Sequence, residues 1–139
     1  MGQALAAHPW AYPMLEVMHI LGIGLLFGNL VLLEIRLWGL GVALPVRPLA
    51  RICLPLAVLG FVLAAASGLL MFATRAEELL ANRAFTVKML LLMFAGANAA
   101  WFHGRGSLDR LDSAARGLML LSTLIWMLVV TSGRWIAYL

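Results

Sequence analysis

Long runs of apolar residues, interrupted by short polar segments, dominate this chain of 139 residues. A helix that spans a membrane needs about 20 predominantly apolar residues. Four stretches meet that requirement, at about residues 12–38, 54–74, 85–102 and 117–138. The connections between them are short, so consecutive helices should be antiparallel neighbours. The pattern therefore predicts an all-α integral membrane four-helix bundle, a single transmembrane domain over residues 1–139 with both termini on the same side.

Prolines and aromatic residues support these helix boundaries. Pro55 falls in the first turn of the second predicted helix, where the missing N–H of proline has no intrahelical partner to lose. Trp10 and Tyr138 fall at one predicted membrane face, and Trp38 and Trp101 fall near the other. Tryptophan and tyrosine favour the headgroup level because they combine an apolar ring with a polar group. These positions indicate where each helix leaves the membrane.

Composition points to the same class of protein. The chain is 64% hydrophobic and only 12% charged, and a soluble domain of this size could not bury so much apolar surface. The lipid bilayer is therefore its expected surrounding. The single cysteine, Cys53, excludes an internal disulfide and a cysteine-based zinc site. No basic segment or cleavage site precedes the first helix, so no removable signal peptide is expected.

The basic residues predict orientation and do not predict nucleic-acid binding. The net charge is +4, but the ten basic residues are scattered among apolar runs. Six of them, all arginines, lie on the face that carries the first and third loops, and four lie on the opposite face. Cytoplasmic loops of membrane proteins carry an excess of lysine and arginine. This bias places the first and third loops in the cytoplasm and both termini outside.

Polar residues recur with one spacing on the first and third helices. Four pairs are each separated by 69 positions: His19 and Lys88, Asn29 and Asn98, Glu34 and His103, and Arg36 and Arg105. Because these two helices run in the same direction, paired residues should lie at the same depth, which suggests a duplicated helical hairpin. At a rise of about 1.5 Å per residue, His19 and Asn29 define two layers about 15 Å apart. In the inner layer we expect Glu34 to pair with Arg105 or Arg36.

The outer layer contains the strongest candidates for a binding site. It holds His19 and Lys88, with Glu16 on the same helix face as His19, and Arg134 of the fourth helix reaches a similar level, so its positive members outnumber its one acidic member. Ionised groups at membrane depth are costly and usually face the interior with a partner, so the excess of positive charge here indicates an anionic ligand. His19 is a candidate axial ligand for haem b, and Lys88 and Arg134 are candidates to hold its propionates. His103 lies about 20 Å from His19 along the membrane normal, so the two histidines should not share one iron, and His103 could serve a second site.

Other functions remain open at this point. Methionine sulfur, in pairs such as Met89 and Met93, is a soft ligand that suits copper. The protein could instead bind or transport a small anion, or be a structural membrane subunit whose polar residues only fix helix register. Gly24 and Gly28 have the spacing that lets transmembrane helices pack closely, so a homo-oligomer is also expected to be feasible.

Several segments carry a family resemblance: the runs from His19 to Gly22, from Glu34 to Gly39, from Ser67 to Phe72, from Val87 to Leu92 and from Gly133 to Tyr138. In these segments the chain resembles an uncharacterised family of small bacterial four-helix membrane proteins. The resemblance covers nearly the whole chain and implies a bacterial inner-membrane location. With the orientation that the basic residues predict, both termini would then lie in the periplasm. Members of that family usually have aspartate at position 34, where this chain has glutamate.

More distantly, the order of His19, Lys88 and His103 is similar to that in HemJ-type haem-containing protoporphyrinogen oxidases and in the copper-resistance membrane protein CopD. This resemblance implies that His19 is the axial haem ligand and that Lys88 belongs to the same site. The arginine-rich and tyrosine-rich signatures of the HemJ type are not evident here, so the resemblance does not fix the reaction, nor whether the protein is an enzyme. The expectation is a membrane haem b protein that transfers electrons, or performs a small redox reaction, near the outer face, with an unidentified electron donor or acceptor.

Overall fold

The computed structural model describes residues 2–139, apart from the side chains at positions 2, 5 and 6. Within this range the chain is 86% helical and contains no strand, so the predicted all-α architecture is confirmed. Its helices follow one another as α1 (Gly2–Ala7), α2 (Ala11–Leu37), α3 (Val46–Thr74), α4 (Ala76–Leu80), α5 (Arg83–Gly104), α6 (Ser107–Arg110) and α7 (Ser113–Trp135), followed by a 3₁₀ turn (Ile136–Tyr138). Four of them, α2, α3, α5 and α7, are long and apolar enough to cross a membrane.

The second transmembrane helix begins earlier than the apolar pattern predicted. It begins at Val46, after the extended residue Pro45, and not near residue 54. The prediction that Pro55 lies in the first turn of this helix is therefore wrong, because Pro55 lies inside the helix. The added turns contain Arg47 and Arg51. Because these residues are charged, the search for apolar runs excluded their turns from the predicted span, although a helix can extend beyond the hydrocarbon core into the headgroup region.

The closest helix contact joins α2 to α3 at two glycines. A Cβ placed on Gly22 would lie 2.6 Å from the Ala64 nitrogen and 2.7 Å from the Gly60 oxygen, and one on Gly60 would lie 2.6 Å from the Gly22 oxygen. No side chain fits at either position, so the two backbones touch. Gly24 and Gly28, the pair with the expected spacing, face away from the bundle, where a Cβ would meet nothing within 4 Å.

The four long helices form an incomplete ring. Close backbone packing joins α3 to α2, α2 to α7 and α7 to α5, whereas α3 and α5 are not closely packed. At one end, which we call the termini end, Arg75 donates a hydrogen bond to Tyr12 within the α2–α3 hairpin, and Asn82 donates one to the Ile136 carbonyl within the α5–α7 hairpin. The opposite end carries the first and third loops and is called the loop end. The incomplete ring leaves a cleft between α3 and α5.

The loop end is fastened by a buried apolar cluster and by polar contacts. Leu33, Cys53 and Phe102 are three of the buried members of that cluster. Arg105 pairs with Asp112 at 2.9 Å, and Asp112 also accepts the first-turn N–H of Ala115, which caps α7. The Arg105 guanidinium and this backbone hydrogen bond lower the pKa of Asp112 to about 2.

Candidate functional site

Two cavities lie between the helices, one toward the termini end and one toward the loop end. The His19 cavity, at the termini end, has a volume of about 430 Å³, and the ionisable residues that line it within the described part of the chain are His19 and Lys88. The His103 cavity, toward the loop end, has a volume of about 340 Å³, and among the described side chains its one ionisable lining residue is His103. Both volumes fall in the range of about 300–1,000 Å³ that is typical of ligand sites, and both linings are mainly apolar.

An aromatic pair separates the two cavities. Phe61 of α3 and Trp126 of α7 line both of them, with ring centroids 6.4 Å apart in an edge-to-face arrangement. At the termini end, Phe72 and Phe85 stack with centroids 5.6 Å apart and close the upper part of the His19 cavity. Aromatic side chains from three helices therefore close the His19 cavity at its termini end and at its loop end.

The imidazole of His19 is held by the backbone of the neighbouring helix. Its Nδ1 lies 2.8 Å from the carbonyl oxygen of Ala64 and 3.2 Å from the Ser67 hydroxyl. A carbonyl oxygen can only accept a hydrogen bond, so Nδ1 carries the proton and donates it. In the neutral ring the free lone pair then belongs to Nε2. An imidazole fixed in this way on one nitrogen is the arrangement that orients histidine as a metal ligand.

Two glycines make room for the polar side chains of the His19 cavity. A Cβ on Gly68 would lie 3.2 Å from Cε1 of His19, and a Cβ on Gly133 would lie 3.3 Å from Nζ of Lys88. Both contacts would be tighter than normal packing allows. The small residues at these positions of α3 and α7 therefore accommodate the histidine and the lysine.

Lys88 has no anionic partner among residues 2–139. None of the three salt bridges in this range involves it, and its ammonium group lies beside Gly133. The side chain is half-buried in an apolar surrounding. A cation at membrane depth usually pairs with another charge or with a backbone carbonyl, and no carboxylate of residues 2–139 serves Lys88 in this way.

Arg134 does not join His19 and Lys88. It is exposed at the termini end, where its guanidinium donates to the Tyr138 hydroxyl at 3.0 Å and lies over the Tyr138 ring. It does not line the His19 cavity. This arginine is placed at the level expected for the membrane interface and lies outside the cavity wall.

His103 and His19 line different cavities. His103 is exposed at the edge of its cavity, and its ring packs edge-to-face on Phe102 with centroids 5.1 Å apart. No residue other than apolar and aromatic ones bridges the two cavities, since Leu26 and Leu92 complete the wall formed by the aromatic pair. The structure therefore does not bring the two histidines together.

The expected ion pair of Glu34 is corrected by the structure. Glu34 is buried, and it accepts a hydrogen bond from the hydroxyl of Thr123 on α7. Arg36 instead donates to the Leu44 carbonyl, and Arg105 pairs with Asp112. Both arginines satisfy their donors in the loops, where they remain near water and avoid the cost of desolvation.

Four small residues that hold His19 and Lys88 in place are not among the site residues that the sequence predicts. Ala64, Ser67 and Gly68 form the α3 surface that holds His19, and Gly133 accommodates Lys88. The run of small residues around position 66 was the available signal. Since small residues serve close packing in any membrane helix pair, that signal does not identify the histidine that they contact.

Comparisons with known proteins add no relative. No protein-family model matches the chain, and neither a curated protein nor a solved structure matches it. Within residues 2–139 there is also no group of three or more His, Cys, Asp or Glu side chains that could hold a metal ion. The candidate chemistry therefore depends on the two cavities and the few polar side chains in them.

Proposed function

We propose that this chain is a membrane haem b protein whose axial ligand is His19. The observation that carries the proposal is the hydrogen bond from Nδ1 of His19 to the Ala64 carbonyl, at 2.8 Å, beside a cavity of about 430 Å³. A backbone carbonyl that accepts from Nδ1 fixes the tautomer, so Nε2 would be free to bind a haem iron, and it increases the basicity of Nε2. A single histidine suffices for haem, because the porphyrin supplies the other four ligands in its plane.

The remaining residues of the cavity fit the same cofactor. Haem b is mostly apolar but carries two propionates. Phe72, Phe85 and Trp126 offer flat apolar surface, and Lys88 supplies a positive charge that has no carboxylate partner among residues 2–139. When bound, the haem iron supplies one-electron redox chemistry, and the apolar lining excludes water and tunes that iron. The function inferred is electron transfer, or a small redox reaction, at the termini end.

The location follows the distribution of basic residues. We place the protein in a bacterial inner membrane with its termini in the periplasm, because the loop end carries more arginine than the termini end. The His19 cavity then lies toward the periplasm. Fusions of alkaline phosphatase or green fluorescent protein to the C-terminus test this, since only the former is active outside and only the latter fluoresces inside.

An optical spectrum of the purified protein tests the haem proposal. The protein is expressed with added 5-aminolevulinate and purified in detergent, and haem is quantified by the pyridine haemochrome assay. We expect a Soret band and close to one haem per chain. His19→Ala should lose the band and His19→Gly should regain it with added imidazole, whereas the matched variant His103→Ala should keep it. A wild-type protein without a Soret band, or full haem in His19→Ala, would refute the proposal.

Lys88 has its own test within the same proposal. Lys88→Met should lower haem affinity about tenfold or more and Lys88→Arg should preserve it, because only the arginine retains a cation for the propionates. Haem affinity is measured by titration of the apoprotein. Equal haem affinity of Lys88→Met and Lys88→Arg would show that the charge of Lys88 does not contribute to haem binding.

The lysine also favours a second candidate function. A half-buried ammonium group without a protein anion would suit a small anion in a haem-free binding or transport protein. Met89, which lines the same cavity as His19, would supply sulfur for the copper alternative. Metal analysis and anion-binding calorimetry of haem-free protein separate these functions from the first. A structural subunit would instead tolerate His19→Leu and Lys88→Met without loss of any associated activity.

A further inference from the structure

The His103 cavity contains hydrogen-bonding groups that the protein does not use. Asn98 is buried, with 8% of its surface exposed, and its Nδ2 donates to the Leu118 carbonyl at 3.0 Å. Its Oδ1 accepts no hydrogen bond from residues 2–139, and Ser122 and His103 form no side-chain hydrogen bond within that range. Asn98 is buried, Ser122 is half-buried and His103 is exposed at the edge of the cavity, so these three groups are free to bind the polar atoms of a ligand in the cavity.

The form of the cavity restricts the route by which a ligand arrives. It lies between α3 and α5, which are not closely packed, and Val58 and Phe61 on this side are exposed. Both exposed side chains are apolar and belong to a helix that is long and apolar enough to cross a membrane, where we expect them to face lipid. A ligand therefore enters sideways from the hydrocarbon phase of the bilayer, and it must be lipid-soluble.

The lining restricts the chemistry of the ligand. Phe61, Phe102 and Trp126 provide aromatic surface for a ring, and no acidic or permanently charged residue lines the cavity. A charged lipid headgroup would thus have no counter-ion there, and a plain acyl chain would leave the three polar groups unused. A neutral ring with carbonyl or hydroxyl groups would use both features.

We propose that the His103 cavity binds the ring of a lipid-soluble quinone, with its isoprenoid tail in the bilayer. Ser122 and His103 donate hydrogen bonds to the ring oxygens of the quinone, and Oδ1 of Asn98 accepts one from the hydroxyl of the reduced form. The proposal concerns binding alone. Phe61 and Trp126 line both cavities, but Asn98, Ser122 and His103 do not line the His19 cavity, so the proposal does not require haem at His19.

Quenching of tryptophan fluorescence tests this proposal, because Trp126 is the only one of the five tryptophans that lines the cavity. The protein is placed in lipid nanodiscs free of quinone and titrated with decylubiquinone or menaquinone-2. We expect saturable quenching that disappears in Trp126→Phe. Decanol, which has a tail but no quinone ring, should neither quench nor compete.

Two matched variants on α5 separate binding from general insertion into the lipid. Ala99 lines the cavity and Ala97 does not, and both are exposed on the same helix. Ala99→Phe should weaken quinone binding at least tenfold, whereas Ala97→Phe should leave it unchanged. Ser122→Ala and His103→Leu should each weaken it about three- to tenfold by removing one hydrogen bond.

Folding of every variant is checked by circular dichroism and gel filtration, so that loss of binding is not confused with loss of structure. Non-saturable quenching, equal affinity of Ala99→Phe and Ala97→Phe, or full competition by decanol would each overturn the proposal. The last result would identify the occupant as an acyl chain. The haem content of the same samples reports on His19 separately.

Discussion

The crossing of α2 and α3 at Gly22 predicts a large effect from adding one methyl group. A Cβ at this position would lie 2.6 Å from the Ala64 nitrogen and 2.7 Å from the Gly60 oxygen, against an ordinary contact of 3.4 Å or more. The shortfall is about 0.8 Å (3.4 minus 2.6), and both obstructing atoms belong to the backbone. In Gly22→Ala the two helices must therefore separate, because no side chain can rotate out of the way.

The cost of that separation follows from packing and from the adjacent hydrogen bond. Overpacking that forces a backbone shift costs about 1–3 kcal/mol. The same shift moves the Ala64 carbonyl away from Nδ1 of His19, which now lies at 2.8 Å, toward the limit of about 3.2 Å for such bonds. We therefore expect Gly22→Ala to lose about 1–3 kcal/mol of stability and, if His19 binds haem, to weaken that binding as well.

Unfolding by sodium dodecyl sulfate in mixed micelles, followed by circular dichroism, measures this stability. Gly24→Ala is the matched control, because it lies two residues away on the same helix and its Cβ would meet nothing within 4 Å. That control should be neutral or more stable, since alanine is the better helix former by about 1 kcal/mol. If Gly22→Ala were as stable as Gly24→Ala, the close contact between α2 and α3 would be refuted.

Three further predictions concern the His19 cavity and the loop end. Gly68→Ala should lower haem affinity without unfolding the protein, because the added Cβ would lie 3.2 Å from the imidazole of His19. Gly96→Ala is the control: its added Cβ would meet no atom within 4 Å, so haem affinity should not change. Asp112→Asn should be less stable than wild type and more stable than Asp112→Ala in thermal unfolding, since asparagine keeps the helix cap and loses only the ion pair with Arg105. Because the pKa of Asp112 is lowered to about 2, its contribution to stability should be complete above its unfolded pKa of about 3.9 and be lost as the pH falls through about 2. Melting temperatures between pH 5 and pH 2 should therefore converge with those of Asp112→Asn, and a constant difference would contradict the assignment.

The helices could be predicted because membrane spans require an uninterrupted apolar run. That requirement located four helices, and three of them agree with the structure to within a few residues at their starts. The start of α3 was missed because Arg47 and Arg51 end the apolar run although the helix continues. Backbone hydrogen bonding determines where a helix ends, whereas hydropathy reports only where the hydrocarbon begins.

The ionisable residues of the site could be predicted, but most of their partners could not. His19 and Lys88 stood out because charge is rare at membrane depth, and the structure places both in one cavity. Their surroundings depend on rotation of each helix about its axis, which determines that Gly68 faces the histidine and that Arg134 faces outward. Two residues at the same depth on neighbouring helices can face toward or away from each other, so depth alone does not predict which side chains are in contact. For the same reason Glu34 bonds Thr123, and not an arginine.

The aromatic wall between the cavities limits what can cross this bundle. Phe61 and Trp126, completed by Leu26 and Leu92, offer no chain of polar side chains that could carry water from the His19 cavity to the His103 cavity. Ions and protons need such a chain, because an unsolvated charge in an apolar layer costs several kcal/mol. Electrons do not need one, since they pass through packed apolar groups over short distances. If haem and a quinone occupy the two cavities as proposed, the aromatic wall that the cavities share would favour electron exchange between these ligands over ion transport.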